Sequence, residues 1–145
     1  MSYPVPKSAI VISPTSTTNG ATTTGNIDTL GYSYAVIDVM STTADAATNN
    51  FSVLALSESD DTVATNFSNV SSFVGDSSFV IPSADTSDDQ IVAQWRVDLR
   101  DRKRYLKVSA SPVTTQTIWA HTRMYTGDEE TATATLTGAS SVVEG

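Results

Sequence analysis

Apolar and polar residues alternate with a period of two along most of the chain, and no segment of about ten residues keeps an apolar stripe at helical spacing. The clearest case is the stretch 90–108, QIVAQWRVDLRDRKRYLKV. Ile91, Ala93, Trp95, Val97 and Leu99 share one face, and Val92, Gln94, Arg96, Asp98 and Arg100 share the other. That pattern predicts a strand. Asp101 to Lys103 reads as a charged turn. Tyr105, Lys107 and Ser109 then alternate with Leu106, Val108 and Ala110, so the stretch is expected to be a core hairpin holding Trp95 and Leu106.

The same reading yields the other strands. In 26–40, Ile27 and Leu30 flank a turn at Gly31, and Val36 to Val39 is apolar on both faces apart from Asp38, which predicts a central strand. In 51–58, Phe51, Val53 and Ala55 are expected on one face and Leu54 and Leu56 on the other. Phe67, Val70, Phe73 and Val74 suggest one short strand, and Phe79 to Ile81 another, ended by Pro82. In the last strand Thr117, Trp119, His121, Arg123 and Tyr125 alternate with Ile118, Ala120, Thr122 and Met124. Seven or eight short strands between Gly, Pro, Asp and Ser loops predict an all-β protein, an antiparallel β-sandwich or jelly roll.

The ends lack this pattern. Residues 1–25 carry Pro4, Pro6 and Pro14 and a Thr/Gly/Asn run, and prolines bias their predecessors towards extended backbone. This segment reads as an extended N-terminal arm, with a short edge strand at 9–13, or as a disordered terminus. Residues 26–125 form the sandwich domain, and 126–145 an acidic C-terminal tail.

Composition narrows the function. The 145 residues contain no cysteine, which removes disulfides and thiolate metal sites. The formal net charge of −8 argues against a nucleic-acid partner, since neutralising phosphates needs a basic face. Charged residues make up 17%, below the ~25% of ordinary domains, and Ser and Thr take their place on the surface. No apolar run is long enough for a membrane helix. The first sixteen residues do not fit a secretory signal, so the protein is expected to act without export.

Candidate chemistry is sparse. His121 is the single histidine and sits in an alternating strand beside Trp119 and Arg123, which suits a polar face or a subunit contact. The carboxylate groups Asp60–Asp61 and Asp85–Asp88–Asp89 offer oxygens to calcium, but their spacing is not that of an EF-hand, and solvated loops are the simpler reading. No metal site, cofactor or catalytic residue is assigned, and the protein is expected not to be an enzyme. Six of the eight cations, Arg96, Arg100, Arg102, Lys103, Arg104 and Lys107, lie in the one stretch, interleaved with Asp98 and Asp101. They are candidates for ion pairing across the turn and for contact with a neighbouring subunit or shell.

Three pieces carry a resemblance: IDTLGYSYAVIDV (27–39), LALSESDD (54–61) and RKRYLKVSAS (102–111). Their order, with Phe67 following the ESDD strand end, resembles a family of tailed-bacteriophage structural proteins encoded near the major capsid gene. The region covered runs from Ile27 to Met124. The resemblance implies a small β-sandwich that sits on the virion as a capsid decoration or cement protein. Such a subunit is made in the host cytoplasm, forms a homotrimer, binds the major capsid protein and stabilises the shell against internal pressure. Two alternatives stay open: a head–tail connector or tail component, and a carbohydrate- or cell-binding module. For the latter, Trp119 is the better exposed stacking candidate and Trp95 the core residue.

Overall fold

The computed structural model describes residues 6–42, 51–81, 91–126 and 142–144. Its strands are β1 (Lys7–Thr17), β2 (Thr23–Asp28), β3 (Tyr34–Ser41), β4 (Phe51–Ser59), β5 (Ser68–Val74), β6 (Ile91–Asp98), β7 (Tyr105–Pro112), β8 (Gln116–Tyr125) and β9 (Val142–Glu144). One 3-10 turn, Ala64–Asn66, precedes β5. Two sheets result, with orders β1-β8-β3-β6-β9 and β2-β7-β4-β5. The protein is an all-β sandwich.

The pairing has a simple rule. β1 pairs with β8, β2 with β7, β3 with β6 and β4 with β5, all antiparallel. This is one long two-stranded ribbon, turned back between β4 and β5. Its successive quarters then alternate between the sheets, and the contacts β3–β8 and β4–β7 seal them.

Period-two burial explains why the sheets face one another. Ala35, Ile37 and Val39 of β3, Ala93, Trp95 and Val97 of β6, and Ile118, Ala120 and Met124 of β8 point inward from the first sheet. Ile27, Leu54, Leu56, Val70, Phe73, Leu106, Val108 and Ala110 meet them from the second. Trp95 is fully buried at the centre, with ring centroids 6.0 Å from Phe73 and 6.1 Å from Phe79. As its two-sided apolar pattern predicts, β3 is central, between β8 and β6.

Several expectations change. The stretch 90–108 is not a hairpin, because β6 and β7 belong to different sheets. Trp95 and Leu106 still meet in one core, but from opposite walls. No tight-turn pair such as Asn-Gly closes the stretch. The longer connection 99–104 instead bridges the ~10 Å between packed sheets. Phe51 is buried with Leu54, not on the side of Val53, because the β4–β7 register shifts between Phe51 and Val53. Phe79 to Ile81 is no strand: Phe79 makes an isolated bridge to Gly75 across a turn, and Ile81 is buried.

The expected boundaries also move. From Lys7 onward the N-terminal segment is an integral edge strand of eleven residues. Pro14 falls where the β1–β8 register slips, between Ile12 and Thr15, as a residue without an N–H must. At the other end, Val142–Glu144 runs parallel to β6 and closes that edge, with Val143 in the core. The rest of the expected tail, 127–141 and 145, lies outside the described residues, as do Asp85, Asp88 and Asp89.

Charge is unevenly placed. The described residues hold all eight cations and nine of the sixteen anions, a net of −1. The other seven carboxylates, Asp45, Asp85, Asp88, Asp89, Asp128, Glu129 and Glu130, belong to segments without a cation.

Candidate functional site

Two places gather chemistry. The first is the end of the sandwich where the β6–β7 connection meets the β2–β3 turn and the end of β4. The β2–β3 turn is set locally: Asp28 accepts a hydrogen bond from the Leu30 N–H (3.1 Å), and Gly31 takes a φ of 89° open to few residues but glycine. Thr29 then ties this turn to the connection, its N–H and hydroxyl both donating to the Arg104 carbonyl, at 3.0 and 2.6 Å.

Each cation of the connection finds a carboxylate. Arg104 grips Asp28 with two parallel bonds of 3.0 and 2.9 Å, the fork geometry that makes arginine–carboxylate pairs strong. Hydrogen bonds from Arg104 and then from the Leu30 N–H hold the Asp28 carboxyl down to about 2, and Asp28 in turn raises the Arg104 guanidinium. Arg100 forks onto Asp98, whose carboxyl is likewise pushed down to about 2, first by the Arg100 side chain and then by the Arg100 N–H. Arg102 lies 3.7 Å from Glu58, and Lys103 3.6 Å from Asp60. The Lys103 N–H also donates to Glu58 at 3.1 Å. Lys107 sits 4.5 Å above the Phe67 ring.

Asp61 completes this rim. Its carboxylate accepts from the Asn66 amide (2.8 Å) and the Val63 N–H (2.9 Å), and these bonds, Asn66 first, lower its pKa. Two exposed apolar side chains, Leu30 and Val63, stand on the same rim.

Of the six interface candidates, five therefore cluster at this end and are engaged within the chain. Arg96 lies apart, on the outer face of the β1-β8-β3-β6-β9 sheet, with its guanidinium 5.4 Å above the Tyr34 ring. Asp60 and Asp61, considered as calcium ligands, serve an ion pair and a turn. Among the described residues no three His, Cys, Asp or Glu side chains converge as a metal site would require.

The second place is that outer face. Asp38, centrally placed on β3, is only 3% exposed yet points away from the core. It accepts a hydrogen bond from the Gln94 amide of β6 at 2.8 Å, and it lies 3.1 Å from His121 Nε2 and 3.6 Å from an Arg123 Nη on β8. Burying a carboxylate demands such partners. Sequence alternation placed Trp119, His121 and Arg123 on one face but gave no sign that Asp38 anchors them. Cross-strand register, which brings Asp38 opposite both His121 and Gln94, supplies the link.

A third feature, on the opposite sheet, is a depression of about 420 Å³ lined mainly by small residues, among them Thr22, Ser52, Ala55, Asn69 and Ser109. It contains no charged side chain. No helix among the described residues is long and apolar enough to cross a membrane.

The chain matches no protein family, no curated protein and no solved structure.

Proposed function

We propose that the chain is a virion structural protein: a capsid decoration or cement subunit that binds the outer shell through the major capsid protein and acts without catalysis. The observation that carries this reading is where the three family-like pieces come together. Pieces 27–39, 54–61 and 102–111 are far apart in sequence, yet Asp28, Glu58, Asp60 and Arg102 to Arg104 interlock on the single rim described above. Those pieces are thus the parts that stiffen one end of the sandwich, and a rigid end suits a docking surface.

The strand order adds support. We read orders 1-8-3-6 and 2-7-4-5 as a ribbon rolled into a jelly roll, an architecture used by capsid and lectin domains. The rim also carries the exposed apolar side chains of Leu30 and Val63. In this reading the rim faces the shell. A homotrimer would engage three shell sites at once, so weak single contacts add up to retention.

The test is to mix purified protein with capsids that lack it. Saturable binding and a gain in heat resistance are expected, both reduced by Leu30→Asp and Val63→Asp. Absence of saturable binding refutes the proposal.

A further inference from the structure

The connection between β1 and β2 carries the one asparagine–glycine pair of the sequence, Asn19–Gly20. β1 and β2 belong to different sheets, so this connection is a corner rather than a hairpin. The Ala21 N–H donates to the Thr18 carbonyl at 3.0 Å, and Gly20 takes a φ of 83°. Those are the marks of a type II turn, whose third position selects glycine. Residues 18–22 are all exposed. On the far side, the Ala21 carbonyl accepts a hydrogen bond from the Ser111 hydroxyl at 2.8 Å, and on the near side Thr17 is buried.

Both groups needed for an intramolecular acylation lie open in this turn. Among the described residues, neither the Asn19 side-chain amide nor the Gly20 N–H has a hydrogen-bond partner. A Cβ added at Gly20 would meet nothing within 4 Å, so the space around the residue is clear. The other described asparagines differ. Asn66 donates its amide to Asp61 at 2.8 Å and precedes the bulky Phe67. Asn26 and Asn69 lie in strand ladders, before the buried, branched Ile27 and Val70. A branched side chain is stiff and crowds the nitrogen that would have to attack. Asn49 and Asn50 lie outside the described residues and precede Asn50 and Phe51.

We propose that Asn19 is a self-modification site, converting spontaneously to aspartate and isoaspartate in the folded protein with water as the co-reactant. The Gly20 nitrogen, after losing its proton to base, attacks Asn19 Cγ. A bond forms between them, the bond from Cγ to the amide nitrogen breaks, and that nitrogen takes up a proton and leaves as ammonia. Water then opens the succinimide ring at either carbonyl. Opening at Cγ gives aspartate on the ordinary main chain. Opening at the backbone carbonyl gives isoaspartate, whose main chain runs through Cβ. No electrons change hands. Either product adds a carboxylate to a chain of net charge −8. Isoaspartate also lengthens the main chain by a methylene between two held points, buried Thr17 and the Ser111-bound Ala21, so the Thr18–Ala21 bond is lost. The corner is independent of the rim, so the proposal stands or falls apart from shell binding.

The test is to incubate the folded full chain in mildly alkaline buffer and to map its peptides by mass spectrometry over time. Conversion should appear at Asn19 ahead of every other asparagine, with release of ammonia. It should run faster as pH rises, because the attacking nitrogen must be deprotonated. Asn19→Gln, whose imide ring is larger and closes more slowly, and Gly20→Ala, whose methyl group shields the nitrogen, should each slow conversion at position 19 by about tenfold or more. Both variants are checked for folding by circular dichroism. The proposal is overturned if Asn19 stays unconverted, if another asparagine converts first, if either variant converts as fast as wild type, or if conversion occurs only after unfolding in urea.

Discussion

Replacing Gly25 by alanine probes how the two sheets close on one another at β1 and β2. Gly25 lies on β2, the edge strand of one sheet, and β2 passes beside β1, the edge strand of the other. A Cβ added at Gly25 would stand 2.0 Å from the Val11 carbonyl oxygen, 2.7 Å from its carbon and 2.9 Å from Ile12 Cγ1. The first two atoms are backbone of β1, at the register shift between Ile10 and Ile12, so they cannot swing away as a side chain would. Either β1 loses register or β2 lifts from the core, exposing part of Ile12 and Ile27. Overpacking of this kind costs about 1–3 kcal/mol. Against it stands a gain of about 0.4–1 kcal/mol, because alanine restricts the unfolded chain. A net loss of about 1.3 kcal/mol should lower the melting temperature by roughly 3–5 °C for a chain of this size. Thermal unfolding followed by circular dichroism measures it, with Gly20→Ala as the comparison. Gly20 has a φ of 83° but no atom within 4 Å of an added Cβ, so only backbone strain acts there. A Gly25→Ala protein as stable as wild type would refute the close approach of β1 and β2.

Further outcomes follow from the two clusters and the core. Asp38→Ala removes the acceptor for Gln94, His121 and Arg123 together and should cost about 2–4 kcal/mol in urea unfolding, whereas a loss below ~1 kcal/mol would show that the cluster does not bind the sheet. Arg104→Gln should raise the Asp28 pKa from about 2 towards the ordinary carboxylate value, read by NMR titration. Because the folded-state pKa is lowered, the Asp28–Arg104 pair stabilises above the unfolded value near 3.8 and stops doing so as pH falls through about 2. The wild-type stability curve should therefore drop more steeply than that of Arg104→Gln between pH 4 and 2, and parallel curves would contradict the pairing. Trp95→Ala empties the centre of the core and should cost about 3–5 kcal/mol by urea unfolding, with less than 2 kcal/mol arguing that Trp95 does not bridge the sheets.

Much of this architecture is legible in the chain because burial in a strand is a period-two property. Alternation places Trp95 and Val97 inward and Arg96 outward, and it separates Ile118, Ala120 and Met124 from Trp119, His121 and Arg123. It also marks β3 as central, since Val36 to Val39 is apolar on both faces. What alternation does not encode is pairing. β6 and β7 have compatible patterns whether they form a hairpin or face each other across the core, and only the length and chemistry of 99–104 separate the two. Phe51 shows a second gap: a register shift beside it reverses the face that strict alternation assigns. The N-terminal strand was obscured by Pro14 and the threonines, residues that an edge strand tolerates at a bulge but that also read as an arm. At the sites, the concentration of cations in 96–107 is plain in the sequence, while their partners Asp28, Glu58 and Asp60 lie more than forty positions away and are joined only by the fold. The same holds for Asp38 and His121, which are neighbours on adjacent strands.

Shell decoration is the central claim, and a cryo-EM reconstruction of capsids incubated with the purified protein tests it most directly. The account predicts repeated density on the outer surface, one sandwich per site in groups of three, with the rim of Leu30, Val63 and the Asp28–Arg104 pair against the shell. Density confined to a single vertex, in a ring of six or twelve copies, or no copy on the shell at all, would contradict it.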